Sequence, residues 1–135
     1  MRLAALFAVV ALLPAPGGVH RPFVPPPGPY AAGHRGVDLA AAAGDEVRAA
    51  LPGVVRFAGR VGGGGWVTVD HGGGLETTYG RLDPVSVRAG RRVGAGEVLG
   101  RLAPGAVHVD WGARQDGRYI DPLGLLGPWE PYLTG

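Results

Sequence analysis

The stretch Trp66-Val67-Thr68-Val69-Asp70-His71 is followed by Gly72-Gly73-Gly74 and then by Leu75-Glu76-Thr77-Thr78-Tyr79. Polar and apolar residues alternate with a period of two in the first segment, which is typical of a half-buried β-strand. The three glycines can turn the chain back on itself, so the stretch predicts a β-hairpin. No helix-forming segment follows the glycines, which argues against a phosphate-binding loop.

Similar short segments lie on both sides of this hairpin, with glycines at the joints between them. The alanine run at 40–43 is too short to form a helix alone. Regularly spaced short strands with turn residues between them are typical of a layered or barrel-like β fold, so the fold class is predicted to be all-β. The further predicted strands cover residues 19–23, 46–50, 53–58, 85–88, 91–93, 98–102 and 107–111, and residues 119–123 are expected to close the fold.

Two stretches carry candidate metal ligands. In the strand Val107-His108-Val109-Asp110-Trp111, the side chains of His108 and Asp110 share one face about 7 Å apart, and the apolar residues take the other. His34 and Asp38 would lie roughly 13 Å apart in an extended chain, so they can share a metal ion only if the chain turns between them. Gly36 permits this, either through a positive φ or through the close approach of another backbone. The alternative for His34 and Asp38 is a hydrogen-bonded pair that fixes a turn without a metal. The alternative for His108 and Asp110 is an ordinary pair of solvent-facing side chains.

The composition excludes several classes of function. The 135 residues carry a formal charge of +2 and include no cysteine and no lysine, which excludes disulfides, thiolate metal sites and lysine-based covalent chemistry. Ser86 is the single serine and no Gly-x-Ser-x-Gly motif surrounds it, which argues against a serine hydrolase. The arginines do not cluster beyond Arg91-Arg92, so no nucleic-acid partner is expected.

The N-terminus predicts export. Met1-Arg2 precedes an apolar run at residues 3–13 that is too short to span a bilayer, and small residues follow it. Residues 1–17 are therefore predicted to be a signal peptide, with an uncleaved anchor or a buried helix as the alternatives. Residues 18–33 are predicted to be a strand and a proline-rich lead-in, 34–127 the β core and 128–135 a tail. The mature chain is expected to have no transmembrane span and to be extracellular or in the cell envelope.

The order of motifs resembles that of the lysostaphin-type (LytM-like) zinc metallopeptidases, which cut peptidoglycan cross-bridges. The likeness runs from residue 21 to residue 126. It rests on many motifs in the same order: His34-Arg35-Gly36-Val37-Asp38-Leu39, Gly44-Asp45-Glu46-Val47-Arg48-Ala49, Val69-Asp70-His71-Gly72-Gly73-Gly74, Thr78-Tyr79 and 87–100.

The resemblance implies a small antiparallel β-sheet groove, related to a duplicated hybrid motif, with the metal on its floor. It implies that His34 and Asp38 are metal ligands and that His108 is a catalytic histidine. Asp110 stands where the family has its third ligand, a histidine, and Arg81 stands where a Tyr-x-His segment would end. Tyr79 is the candidate substrate-binding residue.

These two departures affect the expected chemistry. Asp110 can still bind a metal, but two carboxylates on one ion weaken its pull on water and shift the preference from Zn²⁺ towards Mn²⁺. Arg81 does not lose its proton, so it can stabilise an oxyanion but cannot act as a base.

Two functions therefore stay open. The first is an exported metalloendopeptidase, with one divalent ion, that hydrolyses peptidoglycan peptides. The second is a degenerate module that keeps the groove and binds peptidoglycan or regulates a partner hydrolase.

Overall fold

The structure is a computed structural model that describes residues 11–25 and 33–126. Ten strands and one short 3₁₀ helix follow each other along these residues. Their bounds are β1 Val19–Arg21, β2 Val37–Ala40, β3 Glu46–Arg48, β4 Gly53–Val61, β5 Gly64–Gly72, β6 Leu75–Val85, β7 Arg92–Val93, β8 Val98–Leu102, β9 His108–Gln115, β10 Arg118–Ile120 and the helix Pro122–Leu125.

The strands form one antiparallel sheet with the predicted hairpin near its centre. The main order is β1-β2-β9-β6-β5-β4-β7, and β8 joins β6 and β3 while β10 joins β9. In the hairpin, Val67 pairs with Tyr79 and Val69 pairs with Thr77. The all-β prediction and the predicted hairpin are confirmed.

Alternation along the central strands separates the two faces of the sheet. Val67, Val69, Tyr79, Val109 and Trp111 point into the core and are almost completely buried. Their neighbours in sequence point to the other face, because successive side chains of a strand alternate. This second face carries Asp38, His108 and Asp110, three of the residues predicted to form the site.

Several strand boundaries differ from those predicted. β4, β5 and β6 are longer than expected, because their pairing continues through glycines that weaken the sequence signal. Val85 ends β6, so the separate strand predicted at 85–88 does not form. The sequence pattern did not predict β2, because Val37–Ala40 is short and lies beside the alanine run.

Residues 11–17, the described part of the predicted signal peptide, lie against the β core. Ala11 and Ala15 are 4% and 2% exposed. The backbone N–H of Leu12 donates to the carbonyl of Ala50, and that of Arg48 donates to the carbonyl of Pro14. Residues 1–10, residues 26–32 of the predicted lead-in and residues 127–135, which include the predicted tail, lie outside the described residues.

Within the described ranges, no helix has the length and apolarity required to cross a bilayer.

Candidate metal centre

Strands β2 and β9 bring the candidate ligands together. Asp38 is the cross-strand partner of Asp110, and Ala40 is the partner of His108. Directly opposed side chains in an antiparallel pair project from the same face. The two carboxylates therefore meet, and His108 lies two residues from Asp110 on the same side of β9.

His34 reaches this cluster from outside the sheet. Its backbone pairs with Val24 in an isolated antiparallel bridge. Its Nε2 atom lies 3.1 Å from Oδ1 of Asp38. Gly36 allows the approach, because a Cβ there would lie 2.7 Å from the carbonyl oxygen of Trp111. Of the two roles predicted for Gly36, the close approach of a neighbouring backbone is the one the structure contains.

Three side chains form a compact group in the described part of the chain. One ligand atom from each of Asp38, His108 and Asp110 lies within 4.8 Å of the other two. Nδ1 of His108 is 3.1 Å from Oδ1 of Asp110 and 3.7 Å from Oδ1 of Asp38. His34 contacts Asp38 but is not part of this three-residue group. His108, predicted to be catalytic, thus occupies a ligand-like position.

These residues fit a divalent metal ion. Ligands about 2.0–2.1 Å from a tetrahedral ion lie about 3.4 Å apart, close to the 3.1 and 3.7 Å separations seen here. Nδ1 of His108 is buried and has no hydrogen-bond partner among the described residues. A buried nitrogen that faces two carboxylates must either carry a proton or face a cation, and one metal ion would satisfy all three groups at once.

The tautomer of His34 supports the same conclusion. Its Nδ1 atom lies 2.8 Å from the carbonyl oxygen of Pro22, which can only accept, so Nδ1 must carry a proton. In a neutral ring, the lone pair of Nε2 then points at the carboxylate of Asp38. A proton or a metal ion is required between these two atoms, and histidine ligands of metals commonly donate their other nitrogen to a backbone carbonyl.

Arg81 reaches the cluster from a β-bulge in β6. Gly65 pairs with Leu82 and Trp66 pairs with Gly80, so Arg81 is the extra residue between them. Its φ of 71° lies in the left-handed region that disfavours a side chain. Bulges often redirect a side chain beside a functional site. Here the bulge places Nε of Arg81 3.1 Å from each carboxylate oxygen of Asp110.

The charge state of Asp110 reflects competing influences. Burial raises the pKa of this carboxyl above its ordinary value, and the nearby charge of Asp38 acts in the same direction. The Arg81 guanidinium opposes both effects, but the net direction is upward. Two carboxylates in one half-buried group repel each other, which further favours a bound cation.

Tyr79, the candidate substrate-binding residue, lies in the core and is 0% exposed. Its hydroxyl accepts a hydrogen bond from the backbone N–H of Ala50 at 2.9 Å and lies 2.6 Å from Oγ1 of Thr77. Burial raises the pKa of Tyr79 to about 12, so the hydroxyl stays protonated. The prediction is corrected here, because β6 turns this side chain to the face opposite the groove and a direct substrate contact is not available.

The Tyr79 hydroxyl continues into a hydrogen-bonded chain. Nε2 of His71 lies 2.7 Å from Oγ1 of Thr77, and Nδ1 lies 2.7 Å from the carbonyl oxygen of Pro52. Since Nδ1 must donate to that carbonyl, neutral His71 accepts from Thr77, which accepts from Tyr79. Burial lowers the pKa of His71, in keeping with the neutral form.

The ligand cluster lies in a groove of about 850 Å³. The floor includes Trp66, whose indole lies across Gly80 so closely that a Cβ there would be 2.5 Å from the ring. The ring of His20 stacks on that of His108 with centroids 5.6 Å apart. Arg35 and Arg114 also line the groove and were missed. The alternation of β9 places Arg114 on the same face as His108 and Asp110, so its position in the groove could have been predicted from the sequence.

The fold and the residue cluster together define a small antiparallel β domain of metallopeptidase type. The sequence profile described as Peptidase family M23 matches residues 32–122. The chain belongs to this family, and the predicted relationship to lysostaphin-type peptidases is confirmed.

Individual proteins agree with this assignment. The chain is 44% identical over 106 residues to the uncharacterized protein Rv2891 of Mycobacterium tuberculosis, covering 70% of this chain and 41% of that one. It is 38% identical over 106 residues to the DD-carboxypeptidase/endopeptidase Mpg of Neisseria meningitidis, covering 75% of this chain and 24% of that one. The solution structure of lysostaphin is similar with a TM-score of 0.68 and 25% identity, covering 80% of this chain and 49% of that one. The chain thus spans less than half the length of each of these proteins.

Proposed function

We propose that this chain is a metal-dependent endopeptidase domain that hydrolyses peptide bonds of peptidoglycan outside the cytoplasmic membrane. The observation that carries the proposal is the arrangement of His34, whose Nδ1 proton is fixed by Pro22 while Nε2 faces Asp38 at 3.1 Å. The family assignment supports peptide hydrolysis, and the predicted signal peptide supports export.

The ligand set would consist of Asp38, His108 and Asp110, with His34 reaching the ion beside Asp38. A divalent ion held there, Zn²⁺ or alternatively Mn²⁺, would polarise a carbonyl and lower the pKa of water. The backbone carbonyl of Pro22 orients His34, and the stacked ring of His20 restrains His108. These contacts hold Nε2 of His34 and Nδ1 of His108 towards the carboxylates, so the two rings would not have to move to bind an ion.

Arg81 and His108 would take the remaining roles. The Arg81 side chain is half exposed and lines the groove, so it can turn its N–H donors from Asp110 towards the negative charge that develops on a scissile carbonyl oxygen. Nδ1 of His108 faces the carboxylates, so when Nδ1 binds the ion, Nε2 carries the ring proton and can donate a hydrogen bond to a bound peptide. In this arrangement His108 is a ligand and a donor, which replaces the proton-shuttling role predicted for it.

A second candidate function is favoured by one specific contact. Nε of Arg81 engages both oxygens of Asp110, so a cation of the protein already occupies one member of the ligand set. A domain in which this pair persists would bind peptidoglycan peptides or a partner hydrolase in the groove without cleaving them. Function depends on the site and not on the fold, so the two candidates require a direct test.

The test combines metal analysis with hydrolysis in the purified full chain and two matched variants. Asp38→Asn removes one charge from the cluster, and Asp116→Asn makes the same change at an exposed turn where Asn tolerates a φ of 53°. Stoichiometric metal and cleavage of peptidoglycan-derived peptides, both lost in Asp38→Asn only, support the peptidase. Peptidoglycan binding without metal or cleavage supports the second function and overturns the first.

A further inference from the structure

A pair of arginines lies against one aromatic ring at the edge of the groove. Cζ of Arg35 is 5.4 Å from the ring centroid of Tyr119, and Cζ of Arg114 is 5.7 Å from it. Tyr119 is 46% exposed, and all three residues line the same groove as Asp38 and Asp110. Cation–π contacts hold both guanidinium groups in place, so little side-chain freedom is left to lose when a ligand binds.

The pair carries positive charge that the described residues do not neutralise. Arg114 donates to Glu76 at 3.0 Å, but the same buried carboxylate is also paired with Arg56, so one negative charge serves two positive ones. Arg35 forms no ion pair with any residue in the described ranges. Two guanidinium groups at one ring repel each other, and an anion between them would relieve that repulsion.

The floor between this pair and the ligand cluster is open. Asp110, Gly112 and Arg114 project from the same face of β9, so the backbones of the two ends are about 13 Å apart. At Gly112 a Cβ would lie 2.7 Å from Oγ1 of Thr78 and 3.9 Å from the carbonyl oxygen of Arg35. The hydroxyl of Thr78 therefore takes the place of a side chain at Gly112, and both residues line the groove. An extended peptide of about four residues can span the distance between the two ends.

We propose that Arg35 and Arg114, held against Tyr119, bind a carboxylate of the substrate, and that the substrate peptide therefore carries a carboxylate within about four residues of the bond that is cleaved. Guanidinium groups suit this ligand, because their N–H donors match the geometry of carboxylate oxygens. The inference rests on the proposed peptidase function for its biological meaning, but binding of the carboxylate can be measured without cleavage.

The experiment measures dissociation constants by NMR titration of the full chain with short peptides. N-acetyl-Ala-Ala-Ala with a free C-terminal carboxylate is compared with its C-terminal amide. A second pair, N-acetyl-Ala-Glu-Ala-amide and N-acetyl-Ala-Gln-Ala-amide, tests a side-chain carboxylate. We expect at least one acid to bind about tenfold more tightly than its neutral partner, as charge-assisted hydrogen bonds give. The pair that shows the difference identifies the source of the carboxylate.

Variants assign the effect to the two arginines. Arg35→Gln should reduce the acid-to-neutral ratio to about two or less, and Arg114→Gln should do the same where thermal unfolding shows an intact fold. Arg118→Gln is the matched control, because Arg118 is exposed on the strand of Tyr119 but does not line the groove. Equal binding of acid and neutral peptides by the unaltered chain, or equal losses in Arg35→Gln and Arg118→Gln, would overturn the proposal. Hydrolysis of peptides without any preference for acids would reject this subsite and leave the peptidase function intact. Acid-selective binding without hydrolysis would support the subsite and reject the peptidase function.

Discussion

Replacement of Arg81 by glycine should strengthen metal binding and weaken catalysis. The Arg81–Asp110 pair has to be broken or shared when a cation binds Asp110. Because the two side chains are 50% and 27% exposed, we take the pair as worth about 0.5–1 kcal/mol. Its removal alone should then raise metal affinity about two- to fivefold. Loss of an oxyanion donor should lower kcat about 100-fold.

The fold should tolerate this change. At a φ of 71° glycine removes left-handed strain of about 1 kcal/mol, which offsets the lost pair. Arg81→Lys is the control, since it keeps the positive charge and the strain, and its metal affinity should stay near that of the unaltered chain. Affinity is measured at pH 7 by competition with a chromophoric chelator, and kcat with a peptidoglycan-derived peptide. Unchanged or weaker metal binding in Arg81→Gly would show that Arg81 does not compete with the metal, and the reasoning would fail.

Three further predictions concern the fold around the site. Tyr79→Phe leaves the buried backbone N–H of Ala50 without its acceptor and should lower the free energy of unfolding, measured with denaturant, by about 1–3 kcal/mol. A loss below about 0.5 kcal/mol, the lower end for one hydrogen bond, would contradict the hydrogen-bonded chain. Since the pKa of His71 is lowered from 6.5, its contribution to stability should be complete above about pH 6.5 and fall as the pH drops towards the lower folded value. His71→Gln should flatten this part of the stability profile, and an unaltered pH slope would exclude His71 as its source. Gly80→Ala should lower stability by about 1–3 kcal/mol by displacing the indole of Trp66, while Gly63→Ala, which meets no neighbour, should change the melting temperature little.

Local sequence patterns were sufficient to predict the hairpin and to predict that His108 and Asp110 lie on one face of β9. The alternation at 66–71 places Val67 and Val69 in the core, as periodicity requires. His108 and Asp110 share a face for the same reason. The turn at Gly36 was also predictable, because two potential ligands four residues apart cannot meet on an extended chain.

Contacts between distant segments were not predictable in this way. The stacking of His20 on His108 depends on β1 joining β2, and the burial of Tyr79 depends on which face of β6 meets the core. A one-residue change of register inverts every side chain of a strand, so the face of Tyr79 could not be read from a motif. The bulge at Arg81 shifts the register of β6 at that point, and no sequence signal marks it.

The packing of residues 11–17 bears on when the predicted signal peptide could be removed. Ala15 is 2% exposed, and the chain before it is tied by hydrogen bonds to Ala50 and Arg48. An enzyme that removes a signal peptide must bind a free, extended stretch of backbone in its active site, and the backbone around Ala15 is not free in the folded domain. If the predicted signal peptide is cut after Ala15, the processing enzyme must therefore act while the polypeptide is still unfolded, because the folded domain would shield that bond.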